Sequence, residues 1–143
     1  MKKYEFTDEK KTIGEHTLHR IRAICDFGDV KAGDIGGWIE NEDNLSHDGY
    51  CWVYDEACVY DGGRVCDNAQ VYDSARVFRF SSVHDLAVIF GNARIYNGSR
   101  VSDLACIGDF AQVCDAAMID ETTVANGNMY VSGRAYFGLN VIL

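Results

Sequence analysis

Four carboxylates recur at one fixed interval in the sequence, at Asp67, Asp85, Asp103 and Glu121. If the chain retraces its path once in each interval, these side chains stack about 4.8 Å apart along one edge, which we call the acidic edge. Such an edge can engage a basic protein surface, hold a cation such as Ca²⁺, or consist of turn residues that bond their own backbone. Because stacked like charges repel, turn chemistry explains the edge poorly, and we predict that it binds a partner. The usual calcium-binding loop motif is missing, so no metal is predicted.

A single histidine, His84, lies beyond residue 50, and the same interval places Cys66, Ser82 and Ser102 near it. Histidine is the side chain that most often serves as a general base. A lone outward histidine is more often a surface residue, however. No catalytic triad, zinc-type Cys/His spacing or phosphate-binding glycine loop accompanies His84. The sequence therefore predicts a protein that is not an enzyme, with no catalytic residue, metal or cofactor.

A six-residue repeat sets the position of all these groups, and the four carboxylates lie three hexads apart. Every sixth residue from Val53 to Leu143 is apolar, and thirteen of these sixteen are Val or Ile. The residue two places before each is usually small, beginning with Cys51 and Ala57. Alternation along a strand puts both columns on one face, and pairs such as Asp61-Gly62 close each hexad with a tight corner. Strands this short are stable only when successive turns of chain stack and pair, so the repeat predicts a solenoid.

An aliphatic residue is followed four positions later by alanine at Val53/Ala57, Val71/Ala75 and Ile89/Ala93. This pattern resembles the hexapeptide-repeat family of left-handed parallel β-helices, in which three hexads form one triangular coil. The resemblance covers residues 51–143 and implies an all-β fold, with residues 50–143 forming about five coils. Many members of that family are acyltransferases that use acetyl-CoA, with a catalytic His that works with a loop leaving the helix. Here the hexads run without an insertion, and the coils have no Lys for the CoA phosphates.

Residues 1–49 precede the hexads and are predicted to form an N-terminal β cap. Apolar residues alternate in two short stretches there, and a solenoid needs a cap over its first coil. Two motifs in this segment resemble the lead-in of phage and prophage-encoded members of the family. They are Gly36-Gly37-Trp38-Ile39-Glu40 and Asn44-Leu45-Ser46. This second resemblance implies a phage origin and carries no activity.

Folding the sequence at three hexads per coil separates three outer faces. The first face is uncharged and rich in aromatic residues, so we predict that residues 1–49 or a second chain covers it, the latter giving a homodimer. Its residues include Trp52, Tyr54, Tyr72, Val88 and Phe90. The second face mixes Arg with aromatic residues, which are enriched at binding hot spots but also stack between neighbouring strands. Its candidate partner-binding residues are Arg76, Phe78, Arg94 and Tyr96.

The formal net charge of −9 argues against direct binding of nucleic acid or an anionic membrane and favours a basic protein partner. No apolar run is long enough to span a membrane, and the N-terminus has no signal-peptide stretch. No two of the six cysteines are separated by three hexads, so they are predicted to be free thiols in a reducing cytoplasm.

These features together predict a non-catalytic, acidic interaction scaffold. The specific hypothesis is a phage-encoded inhibitor of a basic host protein that handles nucleic acid, such as a CRISPR effector. Two alternatives remain open. One is a degenerate hexapeptide acyltransferase that uses acetyl-CoA, and the other is a self-assembling structural component. Binding of acetyl-CoA would identify the first alternative, and formation of filaments or multimers would identify the second.

Overall fold

The computed structural model describes residues 2–133 and the strand Tyr136–Phe137, and these residues are almost entirely β-strand and turn. In chain order the strands are β1 (Tyr4–Ile13), β2 (His16–Ala23), β3 (Ile35–Ile39), β4 (Trp52–Val53), β5 (Cys58–Val59), β6 (Arg64–Val65), β7 (Gln70–Val71), β8 (Arg76–Val77), β9 (Ser82–Val83), β10 (Val88–Ile89), β11 (Arg94–Ile95), β12 (Arg100–Val101), β13 (Cys106–Ile107), β14 (Gln112–Val113), β15 (Met118–Ile119), β16 (Val124–Ala125), β17 (Tyr130–Val131) and β18 (Tyr136–Phe137). One short 3-10 helix spans Glu42–Asn44. In the part of the chain that the structure describes, no helix has the length and hydrophobicity needed to cross a bilayer.

The short strands form three parallel walls. Each strand pairs with the one three hexads later, as Val53 pairs with Val71 and Ile89 with Ile107. The first face is built from β4, β7, β10, β13 and β16, the second from β5, β8, β11, β14 and β17, and the third from β6, β9, β12, β15 and β18. The predicted all-β fold, a left-handed parallel β-helix of about five coils, is confirmed.

The interior is one column of aliphatic side chains lined by small ones. Val83 and Ile119 are 0 % exposed, and so are Ala57 and Ala111. Full burial of a Val or Ile side chain stabilises the fold by roughly 1.5–3 kcal/mol relative to exposure. The predicted interior column is confirmed from Val53 to Val131, while its end at Leu143 lies outside the described residues.

The corners place side chains at positive φ, which Asp and Asn tolerate better than most residues. Asp67 and Asp85 both have φ of 58°, and Asn97 has 55°. The corner at Arg79 and Phe80 departs from this rule, with φ of 50° and 62°. The ring of Phe80 there packs over Gly62, where a Cβ atom would collide with it.

The N-terminal segment extends one wall of the β-helix. Strands β1 and β2 form an antiparallel hairpin, and β3 pairs antiparallel with β2 and parallel with β5. The second face therefore continues into the hairpin as one eight-stranded sheet. Leu45 also forms a parallel bridge with Val65. Residues before 50 thus already pair with the first coil, and a division of the chain at residue 49 stays a prediction.

A buried lysine joins the N-terminal segment to the first coil. The Nζ of Lys3 donates to the carbonyl oxygens of Cys51 at 2.7 Å and Gly49 at 3.2 Å. It also lies 4.6 Å from the centroid of the Phe27 ring. Burial lowers the pKa of Lys3, while the neighbouring Cys51 opposes that shift. These contacts fix the start of the chain against the open end of the first coil.

Candidate functional site

Four chemically different side chains stack in one column on the third face. They follow the core residues Val65, Val83, Val101 and Ile119, whose parallel pairing sets their register. The four are Cys66, His84, Ser102 and Asp120, and we call them the third-face column. Residues at matching positions on neighbouring coils lie about 4.8 Å apart. The β-helix thus brings a thiol, an imidazole, a hydroxyl and a carboxylate together, although each comes from a different coil and lies far from the others in sequence.

His84 is held beside a carboxylate. Its Nδ1 atom lies 3.4 Å from Oδ2 of Asp85, and its side chain is 21 % exposed. Its Nε2 atom is buried and has no hydrogen-bond partner among the described residues. A carboxylate beside Nδ1 favours the tautomer that carries its proton there, which leaves the lone pair on Nε2. In that tautomer Nε2 is the proton acceptor of the ring.

A cavity of about 100 Å³ adjoins this histidine. Its lining consists of His84, Arg100, Ser102, Met118, Ile119 and Asp120. This volume holds about three water molecules at about 30 Å³ each, so it also admits a small polar group of a ligand. The Oδ1 atom of Asp120 is buried, with no hydrogen-bond partner in the described part of the chain. Two residues that line the cavity thus each have a buried polar atom without a described protein partner.

Cys66 is a poor nucleophile in this setting. Burial raises the pKa of its thiol, and the nearby Asp67 raises it further. The reactive form of cysteine is the thiolate, which a raised pKa disfavours near neutral pH. His84 and its neighbours on the following coils are therefore the reactive part of the column.

The acidic edge is explained largely by backbone hydrogen bonding. The Oδ2 of Asp67 accepts from the backbone N–H of Asp85 at 3.0 Å, Asp85 accepts from Asp103 at 3.1 Å, and Asp103 accepts from Glu121 at 2.9 Å. A different edge repeats this ladder, where Asp55 accepts from the N–H of Asp73 at 3.1 Å. The ladder gives each corner a local stabilising bond that offsets repulsion between neighbouring carboxylates. Partner binding at the acidic edge stays a prediction.

On the second face, the aromatic residues stack between coils. Tyr60 lies on Phe78 with ring centroids 5.1 Å apart, and Phe78 lies on Tyr96 at 5.2 Å. Each of these pairs stabilises neighbouring strands by roughly 0.5–1.5 kcal/mol. Arg94 beside the stack is exposed, and Arg76 is half-buried. The structure accounts for the rings by stacking, and partner binding through this face stays a prediction.

The first face is covered only where it begins. Trp52 is 1 % exposed and packs edge-on against Phe27 and Tyr4, with centroids 5.3 Å and 6.2 Å away. Farther along, Tyr54, Tyr72, Val88 and Phe90 are half-buried. Tyr72 stacks on Phe90 at 5.6 Å and meets Tyr54 edge-on at 6.2 Å. Residues 2–49 therefore cover Trp52. A homodimer that pairs through the rest of the first face stays a prediction.

Asp120 and Arg100 are the residues that sequence reasoning did not assign to the site. The three-hexad spacing from His84 through Ser102 leads directly to Asp120, so the signal was present in the sequence. The spacing does not reveal that Nε2 of His84 and Oδ1 of Asp120 are both buried, or that Arg100 lines the same cavity. Ser82 occupies the other outward position of its strand and does not line this cavity.

No family model matches this chain. The chain is similar to a curated protein described as "Uncharacterized acetyltransferase YdcK" from Escherichia coli (strain K12), with 38 % identity over 73 residues. The match covers 46 % of this chain and 22 % of that relative, so the chain spans only about a fifth of the relative's length. Similarity to an acetyltransferase agrees with the hexapeptide-repeat β-helix, and nothing in the comparisons supports a phage origin.

This similarity corrects the expectation that the chain is not an enzyme, which is contradicted by the match to a protein described as an acetyltransferase. That expectation depended on treating His84 as an isolated surface histidine. In the structure, His84 instead lies against Asp85 and beside a polar cavity. The degenerate acyltransferase, considered above as an alternative, is better supported than the inhibitor hypothesis.

Proposed function

We propose that this β-helix catalyses acyl transfer from an acyl thioester such as acetyl-CoA, with His84 as the general base. The observation that carries the proposal is His84 itself: it lines the cavity, its Nε2 is buried without a described partner, and Asp85 lies 3.4 Å from its other ring nitrogen. Support also comes from the 38 % identity with a relative described as an acetyltransferase.

The chemistry needs one proton acceptor and one site for the acceptor substrate. A hydroxyl or amine of the acceptor enters the cavity and gives its proton to Nε2 as its oxygen or nitrogen attacks the thioester carbonyl. The new C–O or C–N bond forms, the C–S bond breaks, and the thiolate leaves and takes a proton from the imidazolium. The Asp85 carboxylate lies 3.4 Å from Nδ1 and stabilises the imidazolium during the time that His84 holds the proton.

The remaining cavity groups position the two substrates. Ser102 and Asp120 offer a hydroxyl and a carboxylate to the acceptor's polar groups, and Oδ1 of Asp120 has no described protein partner to displace. Arg100 lines the cavity and is exposed, and Arg64 is exposed on the same face two coils away. The coils contain no Lys, and these two guanidinium groups are the exposed cations on this face that can meet the phosphates of the donor.

The test is acetyl transfer measured with radiolabelled acetyl-CoA and a panel of small alcohols and amines. We expect His84→Gln to lower kcat about 100-fold or more, which is the usual contribution of general-base catalysis, without changing the melting temperature. His16→Gln is the matched control, because His16 also has a carboxylate partner, Glu40 at 2.9 Å, but lies on the hairpin. Acetyl-CoA should raise the melting temperature of the wild type, since it binds the native state alone. Equal rates for His84→Gln and wild type, or no acetyl-CoA binding, would overturn the proposal.

A further inference from the structure

One group of ligating side chains in the described residues is close enough together to hold a metal ion, and it includes His84 of the third-face column. Asp67, His84 and Asp85 each offer one atom, and these three atoms all lie within 4.8 Å of one another. Nδ1 of His84 and Oδ2 of Asp85 are 3.4 Å apart. The backbone N–H of Asp85 donates to Oδ2 of Asp67 at 3.0 Å, so the two corners are fixed relative to each other.

An open groove of about 570 Å³ lies against the two aspartates. Its other lining residues are Ser46, Asp48, Gly49, Asn68 and Leu86. The described lining carries three carboxylates, and the nearby Lys3, whose Nζ donates to the carbonyl of Gly49 at 3.2 Å and which interacts with Asp48, offsets part of this charge. A cleft lined by one sign of charge concentrates ions of the opposite sign, so divalent cations are drawn to this groove.

The donor set selects the kind of cation. Ca²⁺ and Mg²⁺ prefer sites made of oxygen atoms, whereas an imidazole nitrogen with carboxylates suits Zn²⁺ and similar transition-metal ions. In a tetrahedral site with bonds of about 2.1 Å, the ligating atoms are about 3.4 Å apart. The His84–Asp85 pair already has this separation. Asp67 is exposed, and its carboxylate, which accepts the N–H of Asp85, would have to turn to close the remaining gap to an ion.

We propose that Asp67, His84 and Asp85 bind one divalent transition-metal ion, and that the ion regulates His84. A metal on Nδ1 forces the imidazole proton onto Nε2, which then no longer accepts a proton. Binding therefore converts the base into an inactive form, and this second part rests on the proposed function. The ion binds reversibly and inhibits the enzyme, and it takes no part in the acyl transfer.

Binding is tested with Co²⁺ and Zn²⁺ titrated by calorimetry into the chelator-treated 143-residue chain. We expect one ion per chain and at least a tenfold loss of affinity in Asp67→Asn. Asp55→Asn is the matched control, because Asp55 also accepts a neighbouring corner's N–H, at 3.1 Å, but belongs to no such group of ligating side chains within the described part of the chain. Its affinity should equal that of the wild type. An equal loss in both variants, no binding, or thiolate-to-cobalt absorption that places the ion on a cysteine would overturn the proposal.

The regulatory part is tested by the acetyl-transfer rate with and without Zn²⁺, each variant being compared with its own metal-free rate. The wild type and Asp55→Asn should lose activity as the site fills, and Asp67→Asn should resist at the same Zn²⁺ concentration. Binding without inhibition would leave the metal site standing and remove the assignment of His84 as the base. If His84→Gln loses activity but the wild type binds no metal, the assignment of His84 as the base stands and the metal site is excluded. The two proposals therefore fail separately.

Discussion

The interior of the β-helix and the third-face column share one register and differ in almost every other respect. Inside, each coil repeats the one before it, so Val65 lies under Val83 and Val83 under Val101. One residue further along, the sequence runs Cys66, His84, Ser102, Asp120 without repetition. Repetition supplies the stability, because identical coils bury identical surfaces. Function is expected where the repetition stops, because only there does one coil offer a group that its neighbours lack.

The largest difference between these two regions should appear when a charge is added to each. Val83→Asp places a carboxylate at a position that is 0 % exposed, and we expect the free energy of unfolding to fall by about 4 kcal/mol or more. Ser82→Asp, one residue away on the outer surface, should stay folded. Urea denaturation followed by circular dichroism measures both. An unchanged midpoint for Val83→Asp would mean that the register is wrong.

The next largest effect concerns the partner of His84. Asp85→Asn keeps an oxygen that can accept the N–H of Asp103 but loses the charge beside Nδ1, so we expect kcat for acetyl transfer to fall about tenfold to 100-fold. Asp73→Asn is the control, since the Oδ2 of Asp73 accepts the N–H of Gly91 at 2.9 Å on another edge. Equal kcat values for Asp85→Asn and Asp73→Asn would show that Asp85 serves only as a corner residue.

A third experiment asks whether the first face is an interface. If two chains pair through it, Tyr72→Glu combined with Phe90→Glu should turn a dimer into a monomer, because charges replace half-buried rings at the contact. Gln112→Glu on the second face is the control and should leave the mass unchanged. Light scattering coupled to size exclusion gives the answer. A wild type that is already monomeric at high concentration would contradict the predicted homodimer.

A smaller effect is expected at the acidic edge. Changing Asp67, Asp85 and Asp103 to Asn and Glu121 to Gln keeps acceptors for the ladder and removes the repulsion, so the melting temperature should stay equal or rise slightly. Added NaCl should raise the melting temperature of the wild type more than that of this variant, because salt screens only the charged edge. A variant that melts well below the wild type would show that the carboxylate charge itself is needed at the corners.

The smallest effect is a pH dependence of the link between hairpin and coil. The hydrogen bond with Glu40 raises the pKa of His16 above its ordinary value of 6.5. This contact therefore stabilises the fold fully below pH 6.5, and its contribution is lost as pH rises through the raised pKa. Between pH 6 and pH 8 the wild type should lose about 1 °C more in melting temperature than His16→Gln, since the pair is partly solvated. If the melting temperatures of wild type and His16→Gln changed identically with pH, the His16–Glu40 contact would not contribute to stability.

The overall fold could be predicted from the sequence because the residues that determine it repeat at a fixed interval. An aliphatic residue at every sixth position, with a small one two places before it, is compatible with few structures other than stacked six-residue strands. The same spacing predicts that Ser102 lies near His84, and extending it by one more coil leads to Asp120. Periodicity determines which residues are neighbours, and it does so over the whole repeat at once.

Only the tertiary structure decided what those neighbours do. The spacing does not say that Nδ1 of His84 turns toward Asp85, that its Nε2 is buried, or that Arg100 closes a cavity beside it. On the acidic edge the charge pattern predicts partner binding, which stays a prediction, and the structure adds a backbone ladder that the spacing does not reveal. Side-chain direction, burial and hydrogen-bond partners depend on packing between coils. The type of a residue does not determine these properties, because they arise only when the folded coils pack against one another.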